Sequence, residues 1–417
     1  MGSVPELIRK GESETVEFKE SFGKDALETA CAFANTRGGT ILIGVTDAGV
    51  VLGAAAGEAT TRDWVNQIAQ GIGIHAAVRR VLVRGKPVFL VSVRESRIKP
   101  VLLHGRAYRR AGSTTRPMGT DDIARAAMAS AGETWDELPE HRAAISDISL
   151  SRVREFARLA NKMGRRPVPA STAPLELLRK LGLVRDRRPT RAAILLFGRD
   201  PQKYYGEAIV KAGRFRGETL IVDDREIEGT LFDQVEGVSG YFRERLETRF
   251  ERTGAPRREV IWEYPLDALR EAVVNAVCHR DYLSRAQTQV RIYDSELVVM
   301  NPGGLPGGLS VAALTEKHES LPRNRLIAKI LYYAGLIERW GSGIAKMVGA
   351  CSAAGLPAPV FDAGQGFSVS FKKPVVAGAT RTPSFAGNSL HLPPNSLHLP
   401  PNSLHLPPNS LHLPGSP

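Results

Sequence analysis

Cysteine is scarce in this chain of 417 residues: Cys31, Cys278 and Cys351 stand far apart and are odd in number. That argues against a disulfide framework and for a reducing compartment. Long apolar runs are missing too. No stretch reaches the roughly 18 apolar residues of a membrane-spanning helix, and the opening MGSVPELIRKGE has no apolar core of signal-peptide length. The expectation is a cytoplasmic protein. A P-loop is also absent. A helicase motor of that class needs G-x-x-x-x-G-K-[ST], whereas Gly23-Lys24-Asp25 and Gly85-Lys86-Pro87 lack the Ser or Thr and the upstream glycine. A P-loop helicase is therefore not expected.

What is present is positive charge. The formal net charge is +12, and it is unevenly spread. Between Ala76 and Arg116 stand eleven Lys or Arg and a single acid, Glu95, a local net of +10. Arginine dominates there, and its planar fork suits phosphate. A polyanionic partner is the functional reading; plain solubility is the bland one. Against this background the stretch GESETVEFKES, residues 11–21, gathers Glu12, Glu14, Glu17 and Glu20 around Lys19.

Hydrophobic patterning divides the chain. Thr15–Lys19 alternates as a half-buried strand, residues 25–34 carry a helical stripe, and TILIGV (40–45) is a continuous apolar strand followed by a turn at Asp47-Ala48-Gly49. RDWVNQIAQGI reads as a helix, RVLVR and PVFLVSV as strands, RAYRRAGSTTR as a strand ending in a loop, and DDIARAAMAS as a helix. Residues 126–189 read as a connecting region containing the Pro-rich MGRRPVPASTAP. TRAAILLFGRDP (190–201) is expected to be a buried strand. Strands AIVKAGRF, QVRIYD, ELVVMN and FSVSFK then alternate with four helical stretches beginning at 235, 267, 324 and 343. The tail repeats NSLHLPP from 388, 395, 402 and 409; its paired prolines rule out a coiled coil, and a disordered extension is expected.

Three N-terminal pieces go together: Glu12-SETV-Glu17-Phe-Lys19, then AFANTRGGTILIGVTDAG containing Asp47, then YRRAGSTT. In these the chain resembles the Schlafen-type AlbA domain over roughly 115 residues. The resemblance implies a small α/β module that handles nucleic acid; the local charge makes Arg79, Arg80, Arg84, Arg106, Arg109, Arg110 and Arg116 candidate contacts, with Lys19 beside them. It also implies an alternative. RNA-cleaving Schlafen proteins use three carboxylates matching Glu12, Glu17 and Asp47, which could hold Mg²⁺ or Mn²⁺ beside a phosphodiester. The same residues also suit a solvated strand edge and an ordinary turn.

In the second half, LREAVVNAVCHRDY (269–282) places Glu271 and Asn275 four apart, on one helix face. By spacing alone an amphipathic helix explains them. NPGGLP after a strand, RNRLIAKIL opening a helix and ERWGSGI before another shift that weight, because glycines ahead of a helix let backbone N–H groups approach phosphate. From about 190 to 370 the chain resembles the GHKL-type ATPase domain of RecG-related, AlbA-containing bacterial regulators. The resemblance implies Glu271 as general base, Asn275 as magnesium ligand, Asn301, Gly303 and Gly304 as the adenine-side box, and Gly341 and Gly343 as the phosphate box. Asn301 stands where the family normally has an aspartate.

The expected architecture is α/β (α+β): an AlbA-type nucleic-acid-binding domain over 1–125, a helical connecting region over 126–189, a GHKL-type (Bergerat-like) α/β sandwich over 190–373, and the repeat tail over 374–417. The expected function is an ATP-binding, DNA-binding transcriptional regulator that uses Mg²⁺ and forms a homodimer. The rival is a metal-dependent nuclease.

Overall fold

The computed structural model describes residues 3–374 except 252–258, 306–310, 315–321, 339–341 and 365. The repeat tail and Gly341 lie outside the described residues. Among these residues no helix is long and apolar enough to cross a membrane.

The chain opens with helix α1 (Val4–Lys10) and strand β1 (Val16–Lys19), then α2 (Lys24–Asn35), β2 (Gly39–Ile43), α3 (Glu58–Ile72), β3 (Ala77–Val83) and β4 (Lys86–Val93). The strands form a four-stranded sheet in the order β1-β2-β4-β3, with β1 parallel to β2 and the other pairs antiparallel. Strand periodicity explains its two cores. Ile41, Ile43, Phe89 and Val91 face α2 and α3, meeting Phe33, Trp64 and Ile68. Leu42, Val88 and Leu90 face the other way and meet Val4 and Phe18. β2 runs apolar from Ile41 to Ile43 because both its faces are covered. A hairpin of β5 (Tyr108–Ala111) and β6 (Thr114–Pro117) packs on α2. The expected Gly/Ser/Thr loop is therefore only the two-residue turn Gly112-Ser113, and the chain returns as a strand. Helix α4 (Thr120–Ser130) follows.

The connecting region is helical, with α5 (Leu150–Lys162), α6 (Pro174–Leu181) and the short strands β7 (Val184–Arg185) and β8 (Arg188–Pro189). It does not hang loose. Trp135, Phe156 and Leu178 are buried in the same core as the C-terminal sheet. TRAAILLF is not a strand. Arg191–Phe197 is a helix, α7, capped by the Thr190 side chain accepting from Ala193 N. Every residue from Ala192 to Phe197 is fully buried. A helix covered on all sides shows no 3.6-residue stripe, so its pattern is that of a central strand.

Next come β9 (Val210–Arg216), β10 (Leu220–Ile227), α8 (Leu231–Arg245), β11 (Thr248–Glu251), β12 (Glu259–Trp262), α9 (Leu266–His279), β13 (Thr288–Ile292) and β14 (Glu296–Asn301). After them stand α10 (Val311–Leu314), α11 (Arg325–Tyr333), α12 (Gly343–Ala353), β15 (Val360–Asp362) and β16 (Phe367–Lys372). A six-stranded sheet runs β10-β9-β13-β14-β16-β15, parallel only between β9 and β13. Helix α9 lies over it, against β14, α8 and α12. Val290, Leu297 and Val299 from the sheet meet Leu269, Val273 and Val277 from α9 in one core. The expected helix from 324 stops at Tyr333, and Gly335 with positive φ follows the break.

Candidate functional site

Helix α9 carries Glu271, Asn275 and His279 at intervals of four, so one stripe presents all three to a cavity. The sheet supplies an apolar floor through Val299, Phe367 and Val369, and Met347 of α12 adds to it. Asn275 Nδ2 donates to Glu271 Oε1 at 3.0 Å. Burial pushes the Glu271 carboxyl above the ordinary carboxylate range, and the Asn275 hydrogen bond opposes that shift. Burial and the Arg323 guanidinium hold the His279 imidazole down at about 4, so it is neutral near pH 7.

Gly343, the first residue of α12, faces this pair. A Cβ there would lie 2.0 Å from Glu271 Oε1 and 3.3 Å from Asn275 Nδ2. Glycine is the residue that lets this helix start so close to the two polar groups. At the far end, β14 delivers Asn301, and Pro302-Gly303-Gly304 turns away from it. Gly303 has φ +93, and a Cβ on it would meet Asp281 Cβ at 2.7 Å and Arg323 Cζ at 3.2 Å. Asn301 is buried and accepts from the Thr288 hydroxyl at 3.0 Å. Glu271, Asn275, Asn301, Gly303, Gly304 and Gly343 thus line one cavity.

Several residues of this site carry no role in the sequence reading. Arg323 donates to Gly304 O and sits 3.6 Å from Asp281, so it pins the glycine turn. Asn324 donates to the Cys278 and Arg280 carbonyls at 2.9 Å each, which closes the C-terminal end of α9. Glu338 stands at the rim, held by Arg165 at 2.9 Å and Lys346 at 3.2 Å. Arg165 comes from MGRRPVPASTAP, which composition marks only as a linker.

The N-terminal residues behave differently. β1 is an edge strand, and Glu12 Oε1 accepts from the Phe18 N–H at 2.9 Å, covering an edge donor. Glu17 is buried. Its Oε1 lies 2.7 Å from Lys19 Nζ, and its Oε2 lies 2.6 Å from Arg110 Nη1 in an ionic contact without hydrogen-bond alignment. The Arg110 side chain is 0% exposed. It also donates to Ser13 O at 2.8 Å and stacks 5.1 Å from the Phe33 ring centroid. Asp47 is exposed in its turn.

Among the described residues no three His, Cys, Asp or Glu side chains stand together as a metal site. The structure therefore does not bring Glu12, Glu17 and Asp47 together as a three-ligand cluster. Arg110 is an internal counter-ion and no phosphate contact, and Lys19 is tied to the same carboxylate. Arg109 lies 3.4 Å from Asp122. The remaining candidates are available: Arg79, Arg80, Arg84, Arg106 and Arg116 are exposed, as are Arg94 and Arg97, and none of them makes an ion pair among the described residues.

A chain of charges links this surface to the cavity. Asp122 of α4 contacts both Arg109 and Arg125, the latter at 3.3 Å. Arg125 Nη2 donates to Asp281 Oδ2 at 2.7 Å. Asp281 in turn packs under Gly303 and faces Arg323.

Comparison with known proteins gives the class. Residues 12–119 match the family model "Schlafen, AlbA_2", and residues 286–371 match "Putative ATP-dependent DNA helicase recG C-terminal". The chain thus joins a Schlafen-type AlbA domain to a RecG-related ATPase-type domain. The second match begins after α9, so Glu271 and Asn275 rest on geometry and motif alone. Two solved structures are similar. One is the N-terminal domain of a "Putative ATP-dependent DNA Helicase RecG-related Protein" from Nitrosomonas europaea, 30% identical over 28% of this chain and 93% of that one, with a TM-score of 0.23. The other is the DIP2311 protein from Corynebacterium diphtheriae, 20% identical over 87% of this chain, with a TM-score of 0.46. The chain spans 65% of the length of the latter. The comparison with curated proteins returned no match.

Proposed function

We propose that the protein is a cytoplasmic transcriptional regulator in which a GHKL-type domain binds ATP and controls the grip of the AlbA-type domain on DNA. The observation that carries this reading is the cradle of Glu271, Asn275 and Gly343 at one end of a largely apolar cavity whose other end is the Asn301-Gly303-Gly304 turn. An apolar floor suits a base, and a helix start with no side chain suits a phosphate.

The donor set fits Mg²⁺. Asn275 spends its NH₂ on Glu271, which leaves Oδ1 as a hard oxygen ligand. Bound there, Mg²⁺ would neutralise triphosphate charge. Glu271, with its raised pKa, is placed to orient a water and accept its proton. The exposed arginines support DNA binding, and the chain Arg109–Asp122–Arg125–Asp281 supports coupling, because its last member packs against the glycine turn of the cavity. A homodimer belongs to this reading by analogy with other GHKL domains.

Calorimetry on the full chain tests the nucleotide site. ATP with Mg²⁺ is expected to bind, and Asn275→Ala is expected to weaken it by about tenfold, the equivalent of one lost ligand contact. Unchanged affinity in Asn275→Ala would remove Asn275 from the site, and absence of binding in the wild type would end the ATP reading.

A further inference from the structure

The Asn301 end of the cavity has a hydrogen-bond polarity of its own. Thr288 and Asn301 are cross-strand neighbours, because the register of β13 and β14 pairs Gln289 with Met300. Thr288 is 1% exposed. Its hydroxyl lies 3.0 Å from Asn301 Oδ1 and 3.5 Å from Arg280 Nη1. A guanidinium can only donate. The Thr288 oxygen therefore accepts from Arg280, and its one hydrogen goes to Asn301. This requires the amide oxygen of Asn301 on the Thr288 side. The flipped amide would leave the Thr288 hydrogen buried with no acceptor. Asn301 Nδ2 is then the group left for a ligand. It has no partner among the described residues and is not sealed off from the cavity that Asn301 lines.

We infer that Asn301 reads the base through a donor, so that the cavity takes a 6-oxopurine nucleoside triphosphate at least as tightly as ATP. The inference rests on the reading of the cavity as a nucleotide site with the base at Asn301. Position 6 of hypoxanthine or guanine carries an oxygen, which accepts from Nδ2. The 6-amino group of adenine donates, and at Nδ2 it meets another donor. An aspartate at this position would reverse the match, since an ionised carboxylate only accepts. Arg280 and Thr288 act as positioning residues by fixing which end of the amide faces outward.

Calorimetry on the full chain with Mg²⁺ compares ITP with ATP, whose bases differ along the six-position edge. The expected result is a Kd for ITP equal to or below that for ATP. Asn301→Asp is expected to move the ratio toward ATP by about tenfold, the worth of one net hydrogen bond. Tighter binding of ATP than of ITP in the wild type overturns the inference, as does an unchanged ratio in a folded Asn301→Asp protein. The wild-type ratio decides the matter even where the variant fails to fold. Binding of either nucleotide upholds the nucleotide reading whichever base wins; binding of neither ends that reading and this inference together.

Discussion

Gly343→Val is expected to weaken ATP binding by roughly a hundredfold while leaving the melting temperature almost unchanged. The prediction follows from which atoms must move. A Cβ at 343 falls 2.0 Å from Glu271 Oε1, so the carboxylate at the end of a flexible side chain gives way. The Asn275 amide, hydrogen-bonded to that carboxylate, is displaced with it. Two polar contacts worth about 1–1.5 kcal/mol each are lost, and every 1.4 kcal/mol is about tenfold. The fold loses little. Gly343 does not need a positive φ, and the atoms its Cβ would meet are the ends of the Glu271 and Asn275 side chains rather than backbone. Gly343→Ala should show the same effect in smaller measure. Calorimetry beside thermal denaturation separates the outcomes. Intact ATP affinity in Gly343→Val would show that the Glu271–Asn275 pair is not at the phosphates.

The second large effect concerns stability. Arg110→Ala is expected to destabilise the N-terminal module by about 3–5 kcal/mol, the cost of leaving one partner of a buried ion pair behind. Glu17 would keep only Lys19, and the carbonyl of Ser13 and the face of Phe33 would lose their partner. Replacing both Glu17 and Arg110 by apolar residues of similar size should cost much less, because no charge is stranded. Arg80→Ala and Arg84→Ala, on exposed arginines, should leave stability within about 0.5 kcal/mol. Denaturant unfolding followed by tryptophan fluorescence reads this, since Trp64 packs in the core of the module. A fully stable Arg110→Ala protein with weakened DNA binding would return Arg110 to the list of phosphate contacts.

The sequence discloses this molecule unevenly, and the physical reasons differ from place to place. β1 and α2 are legible because polar residues alternate with or flank their apolar ones, even though Glu17 and the run Thr29–Ala34 are buried. TRAAILLF is covered on every side and has no period to read. β10 goes unread because its first three residues Leu220, Ile221 and Val222 are apolar although exposed, so burial and polarity part company there. Within the cavity, Glu271, Asn275, Asn301, Gly303 and Gly304 are legible as motif. Of their supports, Arg323 and Asn324 fall inside the RNRLIAKIL stretch but without a role, and Thr288 falls outside every motif, since their work is to bond backbone and neighbours across the fold. The four acids of GESETVEFKES look alike in sequence. Only the fold gives Glu12 a strand edge to cap and Glu17 a buried arginine from a distant hairpin. Pairing across long sequence separations is what a local pattern cannot carry.

The central claim is that one site binds nucleotide and that this changes the grip on DNA. Fluorescence anisotropy of a labelled DNA duplex, titrated with the full chain over a range of salt with and without Mg²⁺ and ATP, tests it most directly. Affinity should fall steeply with salt, by about 0.9 log units per log unit of salt for each phosphate contact, as several exposed arginines demand. The curve with ATP should be displaced from the curve without it. A flat salt dependence, or two curves that coincide under saturating ATP, would contradict the account.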